Sequence, residues 1–377
     1  VEIEDLVNGA VDWELVWTLS KAHGVASLVY RNLAALCPAA LPSAIHAEFR
    51  RHNQANALLN TCLAKELVAV LDAFGAKGIH AIPFKGVTLA QIAYGDLTLR
   101  ECADLELIVD EPSIPHARQI LWSLGYQPTS RNVRDGPESD ECYHFSHKKS
   151  GVVVVDLQWV MARPHFWFRL DRSVFWNRLK PVYLPTKIVM GLCPEDMLIL
   201  LCVDGSKQAW QQLKLICDVA ELVRRRPALD WSRLMFQAKE WKCRRMVLLG
   251  LALGNRLFDM VLPSAVLKEI EVDADIHGLV QHMPKQLLKN ARQGIDQQCA
   301  EALYLTMKDS SWERWKLGMA LCLAEAKVID LPLPWFRFQQ KLQRLSFCLK
   351  PFHWVVEICA AFIRMRQAFV RWLQNAG

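Results

Sequence analysis

The chain has 377 residues, 52% of them hydrophobic and 22% charged, with a net charge of +6. That composition excludes a disordered, collagen-like or low-complexity chain and leaves room for two or three domains with a sizeable core. The mild positive charge, with basic clusters at Arg224–Arg226 and Lys242–Arg245, permits a nucleic-acid partner without demanding one.

In chain order, residues 12–70 read as helices. Trp13, Leu15, Val16 and Leu19 recur at helical spacing, as do Ala55, Leu58, Leu59, Cys62 and Leu63, with a break at Leu41-Pro42-Ser43. The period then changes. Gly78–Phe84 reads as a short buried strand ended by Lys85-Gly86, Val87–Tyr94 as a helix, Leu105–Val109 as a strand bounded by Asp110-Glu111-Pro112, and Ile114–Leu124 as a helix stopped by Gly125. Cys142–His147 and Val152–Trp159 read as a hairpin around Lys148–Gly151. From residue 190 on the pattern is helical. Cys193-Pro194-Glu195-Asp196 starts a helix, with proline early and carboxylates in the first turn. Helices are expected over 196–226, 231–257, 263–271 and 283–306. Asp309-Ser310-Ser311 opens another, and Leu331-Pro332-Leu333-Pro334 precedes a basic, Trp- and Phe-rich tail. The expected fold is α+β: a small mixed sheet with flanking helices, followed by a largely helical C-terminal half. The expected domains are a helical lead-in (1–62), a catalytic core (63–180), a helical domain (181–308) and a helical tail (309–377).

The twelve cysteines stand singly, mostly in apolar stretches such as Leu321-Cys322-Leu323, with no Cys-x-x-Cys. With no secretory-signal pattern at the start, they predict reduced core thiols in a cytoplasmic protein. No stretch reaches the roughly 18–20 uncharged apolar residues of a membrane span. Trp354–Val370 comes nearest but is interrupted by Glu357, Arg364 and Arg366, and reads as an amphipathic helix.

The sharpest chemical signal is Asp104-Leu105-Glu106. Alternate residues of a strand share a face, so the two carboxylates lie together with Leu105 and Leu107 opposite. Two neighbouring carboxylates repel, and a hard divalent cation, Mg²⁺ or Mn²⁺, resolves the conflict. Asp156 lies in the apolar run Val152–Leu157, where an ionised group needs a partner. If its strand lies beside that of Asp104, three carboxylates converge. Alone, Asp-x-Glu is a common solvated face. Lys85-Gly86 adds to it, because a glycine between strand and helix lets backbone N–H groups approach phosphates.

These residues resemble a known family. Phe84-Lys85-Gly86-Val87-Thr88-Leu89-Ala90, then Tyr94-Gly95-Asp96, then Arg100 leading into Asp104–Val109, and Val155-Asp156-Leu157-Gln158-Trp159 are similar to the motifs of the uncharacterised nucleotidyltransferase family of the DNA polymerase beta superfamily. Weaker similarity covers Asp12-Trp13-Glu14, His23-Gly24-Val25, Pro194-Glu195-Asp196, Lys207, Trp210, Cys217-Asp218-Val219-Ala220 and Leu331–Pro334. Glu106 stands where that family has Asp, and Asp204 and Gln208 where it often has His. The resemblance implies transfer of a nucleoside monophosphate from an NTP to a hydroxyl of a small molecule, peptide or RNA. Asp104, Glu106 and Asp156 would be the catalytic metal ligands for Mg²⁺ or Mn²⁺. Lys85, Gly86, Thr88, Arg100, Lys207 and Trp210 would contact the nucleotide. Glu106 and the two absent histidines leave open a catalytically degenerate nucleotide-binding or scaffold protein, and the basic C-terminal half leaves open a toxin-like enzyme acting on tRNA or protein.

Other constellations carry less. Cys142, His144 and His147 are close in sequence, but His144 and His147 face opposite sides of a strand, so a shared metal is not expected, although His144 is a candidate to line the site. No P-loop, dinucleotide fingerprint or nucleophilic triad is legible.

Overall fold

The fold is seen in a computed structural model that describes residues 7, 11–129, 142–147, 153–158 and 175–293, together with positions 303, 306, 307 and 309. The chain through Asp296 forms one compact unit. The expected helix at Asp309, the Leu331–Pro334 break, the basic tail and the Lys148–Gly151 turn lie outside the described residues, apart from those single positions.

Three helices open the chain: α1 (Trp13–Ala22), α2 (Ala26–Leu36) and α3 (Ser43–Gly75). Asp12 caps α1, its side chain accepting from the Leu15 N–H at 2.9 Å. Helix α3 is 33 residues long and runs unbroken through residues 62 and 63. Its buried stripe, Ile45, Phe49, Asn56, Asn60, Leu63, Leu67, Val70 and Phe74, keeps the three- and four-residue spacing of one helical face. Phe49 packs edge-on against Trp17, centroids 4.8 Å apart, and stacks on Tyr30. Each such fully buried side chain contributes about 1.5–3 kcal/mol.

Two members of that stripe are polar for a reason. The Asn56 amide donates to the carbonyls of Thr98 (2.8 Å) and Arg100 (3.3 Å), and Asn60 donates to those of Leu97 and Arg100. The long helix thereby holds the loop that leads into the carboxylate strand, satisfying buried carbonyls that no strand partner reaches.

The sheet has the order β1 (Ala81–Phe84), β2 (Leu105–Val109), β5 (Val154–Gln158), β4 (Cys142–His147), β3 (Tyr126–Pro128). Strands β2 and β5 run parallel and the other pairs antiparallel. The connection between β2 and β5 includes α5 (Ile114–Ser123), which packs on β3 and on α3, while α3 also touches β1. Leu105, Leu107 and Val109 are almost fully buried on the face of β2 away from Glu106. Between β1 and β2 lies α4 (Gly86–Leu89), continued by a wider helical turn over Ala90–Tyr94.

A second hairpin, β6 (Lys180–Tyr183) with β7 (Ile188–Gly191), precedes the helices. These are α6 (Pro194–Lys207), α7 (Leu213–Arg225), α8 (Trp231–Glu240), α9 (Arg244–Phe258), α10 (Ser264–Val272) and α11 (Ala274–Gln293). The fold is α+β as expected, but two expected helices are each split. Ala209 and Trp210 adopt φ of 50° and 51°, breaking 196–226, and Lys242 at φ 56° breaks 231–257. The first break seats the Trp210 ring between Gly205 and Gly250, where an added Cβ would lie 2.5 and 2.8 Å from it. No helix among the described residues is long and apolar enough to cross a membrane.

Candidate active site

The site begins where β1 ends. Lys85 takes φ 58° and ψ −136°, a region that L-residues with side chains rarely occupy, and Gly86 follows at φ 49°. A Cβ on Gly86 would lie 3.2 Å from the Asp104 carbonyl oxygen. Glycine thus lets the turn press against the start of β2. The Thr88 hydroxyl donates to the Lys85 carbonyl at 2.7 Å, fixing the turn from within.

Across the sheet, Phe84, Glu106, Asp156 and His144 stand in one register row. Glu106 and Asp156 are direct partners on parallel strands, whose backbones lie about 4.8 Å apart. Asp104, two residues before Glu106, belongs to the same face. His144 Nδ1 donates to Asp156 Oδ1 at 2.6 Å. His147 faces the other way, edge-on to Tyr126 at 5.2 Å between ring centroids, as strand alternation requires.

Lys85 Nζ donates to Glu106 Oε1 at 3.3 Å, lies 3.2 Å from Oε2, and pairs with Asp204 of α6 at 2.9 Å. Burial works against the lysine charge, but Asp204 and Glu106 overcome it and hold its pKa above the ordinary range. Burial pushes the Glu106 carboxyl up to about 7; Lys85 opposes the rise, while Asp104 and Asp204 add to it. Burial and then the Asp156 charge raise Asp104. Burial also acts on Asp204, yet Lys85 leaves it below its usual range.

A cavity of about 190 Å³ opens here, lined by Phe84, Lys85, Glu106, Gln158, Asp204, Lys207 and Gln208, with Leu200 and Val203 behind. Among the described residues no three carboxylate, His or Cys groups are drawn together into a metal cage. Lys85 holds Glu106 and His144 holds Asp156. The donor set nonetheless suits a hard divalent cation: the carboxylates carry oxygen donors on adjacent strands, and Glu106 Oε2 is buried and, among the described residues, accepts no hydrogen bond beside its ion pair with Lys85.

Not every residue expected to touch nucleotide lies on this cavity. Lys207 lines it, and Lys85 and Gly86 form its turn. Thr88 is fully buried and braces that turn. Arg100 is buried and faces elsewhere: its Nε and Nη2 donate to the two Asp218 oxygens at 2.9 and 3.0 Å, and Tyr94 donates to the same carboxylate at 2.8 Å. The Tyr94 and Arg100 motif residues thus clasp α7. Trp210 has no exposed surface and belongs to the helical core. Placing it on the same helix as Lys207 fails because that helix ends at Lys207 itself. The sequence marks Asp204 only as a substituted position and gives no sign of its ion pair with Lys85.

Residues 9–259 match the sequence profile of an uncharacterised nucleotidyltransferase family. The chain belongs to that family. The family match includes Lys85-Gly86, the three carboxylates and Asp204, and ends at Asp259, the left-handed residue that closes α9. No curated protein sequence matches significantly. Among solved structures with detectable similarity are the antibiotic-resistance factor ANT(2'')-Ia (12% identity, 48% of this chain and 94% of that one, TM-score 0.34) and the lincosamide antibiotic adenylyltransferase LnuA (14%, 42% and 94%, 0.30). An antigenic nucleotidyltransferase-like protein from Paracoccidioides brasiliensis is a third (14%, 59% and 92%, 0.35).

Proposed function

We propose that this member of the nucleotidyltransferase family moves a nucleoside monophosphate from an NTP to an acceptor hydroxyl. The observation that carries the reading is the direct pairing of Glu106 with Asp156 on parallel strands, with Asp104 on the same face. The acceptor oxygen forms a bond to the α-phosphorus as the bond from that phosphorus to the α–β bridging oxygen breaks, and pyrophosphate leaves. Asp156 takes the hydroxyl proton, and His144, hydrogen-bonded to its Oδ1, keeps the carboxylate oriented. Asp104, Glu106 and Asp156 would hold Mg²⁺ or Mn²⁺. Such an ion, when bound, supplies charge neutralisation and Lewis acidity at the phosphates. The Gly86 backbone, free of a side chain, offers phosphate oxygens a close approach, and Lys207 contributes a cation from the far wall of the cavity.

The test is incubation with each α-labelled NTP, Mg²⁺ or Mn²⁺, and separated small-molecule, peptide and RNA fractions of a cell extract, followed by mass spectrometry. The reading expects one acceptor fraction to gain the mass of a nucleoside monophosphate. No labelled acceptor in any fraction would count against it.

One observation favours a second reading. Lys85 already bridges Glu106 and Asp204, an internal cation where turnover calls for a metal. In that reading the chain binds NTP without transferring it, and Glu106→Asp, which restores the shorter carboxylate usual in the family, creates activity that the wild type lacks.

A further inference from the structure

The site's cations are largely committed to carboxylates: Lys85 to Glu106 and Asp204, and Arg100 to Asp218. Lys214 is different. It is half-buried in the first turn of α7, and its ammonium forms no ion pair or hydrogen bond among the described residues.

Its placement is built. The His23 carbonyl accepts from the Lys214 N–H at 3.1 Å, His23 Nδ1 accepts from the Leu213 N–H at 3.3 Å, and the Gln212 amide donates to the Ala22 carbonyl at 3.3 Å. Gly24, at φ 65°, lets the lysine stem lie against the chain: an added Cβ would be 3.1 Å from Lys214 Cδ. The His23-Gly24 pair, which also closes α1 through N–H groups bonded to the Leu19 and Lys21 carbonyls, thus seats the Lys214 backbone and stem.

The direction follows from helical spacing. Lys214 and Asp218 are four residues apart and share one face of α7. Asp218 is the residue that receives Tyr94 and Arg100. One turn earlier, the Lys214 stem lies against Gly24, two residues before Ala26, whose N–H donates to Glu101 at 2.9 Å, so the lysine sits beside the chain that runs from Arg100 toward Asp104.

We propose that Lys214 binds the substrate's polyphosphate at the Asp104 end of the carboxylate row, positioned there by His23 and Gly24. This rests on the nucleotidyltransferase reading and names the residue that anchors its nucleotide. A lysine on a long packed stem suits that role, because its ammonium rotates freely onto phosphate oxygens while the stem stays seated.

The experiment compares wild type, Lys214→Met and Lys214→Arg by calorimetry with the Mg²⁺ complexes of ATP, GTP, CTP, UTP and pyrophosphate. Lys214→Met keeps the stem and removes the charge; should it fail to fold by circular dichroism, Lys214→Gln makes the same comparison. Losing one charge-assisted hydrogen bond should weaken binding about tenfold or more, with Lys214→Arg retaining most affinity. Nucleotide binding by the wild type that is unchanged in the neutral variant overturns the proposal and leaves the transferase reading intact. Pyrophosphate binding that depends on Lys214, without binding of any NTP, keeps the anion site and overturns the nucleotide reading. Binding of neither overturns both.

Discussion

Lys85 and Asp204 form a 2.9 Å ion pair that joins the end of β1 to helix α6 across the cavity, with Glu106 as the lysine's second partner. All three side chains are mostly buried, so removing the shared cation leaves Glu106 without its ion pair and Asp204 with only the Gln208 hydrogen bond and the Lys207 charge. Lys85→Met should therefore destabilise the fold by about 3–5 kcal/mol. Adding Asp204→Leu should recover part of that loss. Urea denaturation of the single and double variants measures both, and an unchanged midpoint in Lys85→Met would show that the pair carries no stability.

Glu106 is held against its chemical preference. Its carboxyl is pushed up to about 7 by burial, so the ionised form is costly in this fold. Glu106→Gln removes that cost and should leave the melting temperature unchanged or raised, while transfer falls by at least about a hundredfold, as expected for loss of a charge acting on the reacting phosphates. A variant that is both inactive and strongly destabilised would mean that Glu106 is chiefly structural.

Gly86 combines a left-handed φ of 49° with a 3.2 Å approach to the Asp104 carbonyl. Gly86→Val adds a β-branched side chain where neither the backbone nor the space accepts it, at a cost of at least about 1–2 kcal/mol. NTP affinity should fall more in Gly86→Val than in Gly86→Ala. Equal affinities in folded variants, measured by calorimetry, would place the phosphates away from this turn.

Arg100 and Asp218 should report on stability rather than on nucleotide binding. Arg100→Ala strands a buried Asp218 that also serves Tyr94, with an expected loss of about 3–5 kcal/mol. In the conservative Arg100→Lys variant, NTP affinity should stay close to that of wild type while the thermal midpoint drops. The reverse pattern would return Arg100 to the nucleotide.

The acid limb of stability should depend on Asp273. Burial raises its pKa, but hydrogen bonds from Arg245 and from the Ile276 N–H outweigh burial and leave it below the usual carboxylate range. A carboxyl with a depressed folded pKa adds stability that is fully present above its unfolded pKa of about 3.9 and is lost as pH falls through the folded value. Asp273→Asn should thus lower stability at neutral pH and flatten the acid limb. Parallel curves for wild type and variant between pH 6 and pH 2 (about two units either side of the reference value) would remove the group from the account.

Much of the sheet is legible in the sequence because its strands are short and marked. Asp104–Leu107 and Val154–Gln158 alternate with period two, and Gly125 and Lys85-Gly86 punctuate their neighbours. The same alternation separates His144 from His147, but only the β4–β5 register shows that His144 is the one that meets Asp156. The hairpin β6–β7 escapes a reading of the sequence: its strands are four residues each and half exposed, and carry no strong pattern. Arg100 reads from sequence as a free cation before a carboxylate strand. Its partner Asp218 is 118 residues away and visible only in the fold. Trp210 is hard to place from sequence because two consecutive left-handed residues turn it inward, and no glycine, asparagine or proline announces them.

The central claim is that Asp104, Glu106 and Asp156 act together on a nucleoside triphosphate, and its most direct measurement is nucleotide transfer by single neutral variants. With α-labelled NTP, Mg²⁺ and the responsive acceptor fraction, Asp104→Asn, Glu106→Gln and Asp156→Asn should each lower transfer by at least about a hundredfold, with circular dichroism spectra unchanged. Transfer at the wild-type rate in any one of the three folded variants would contradict it.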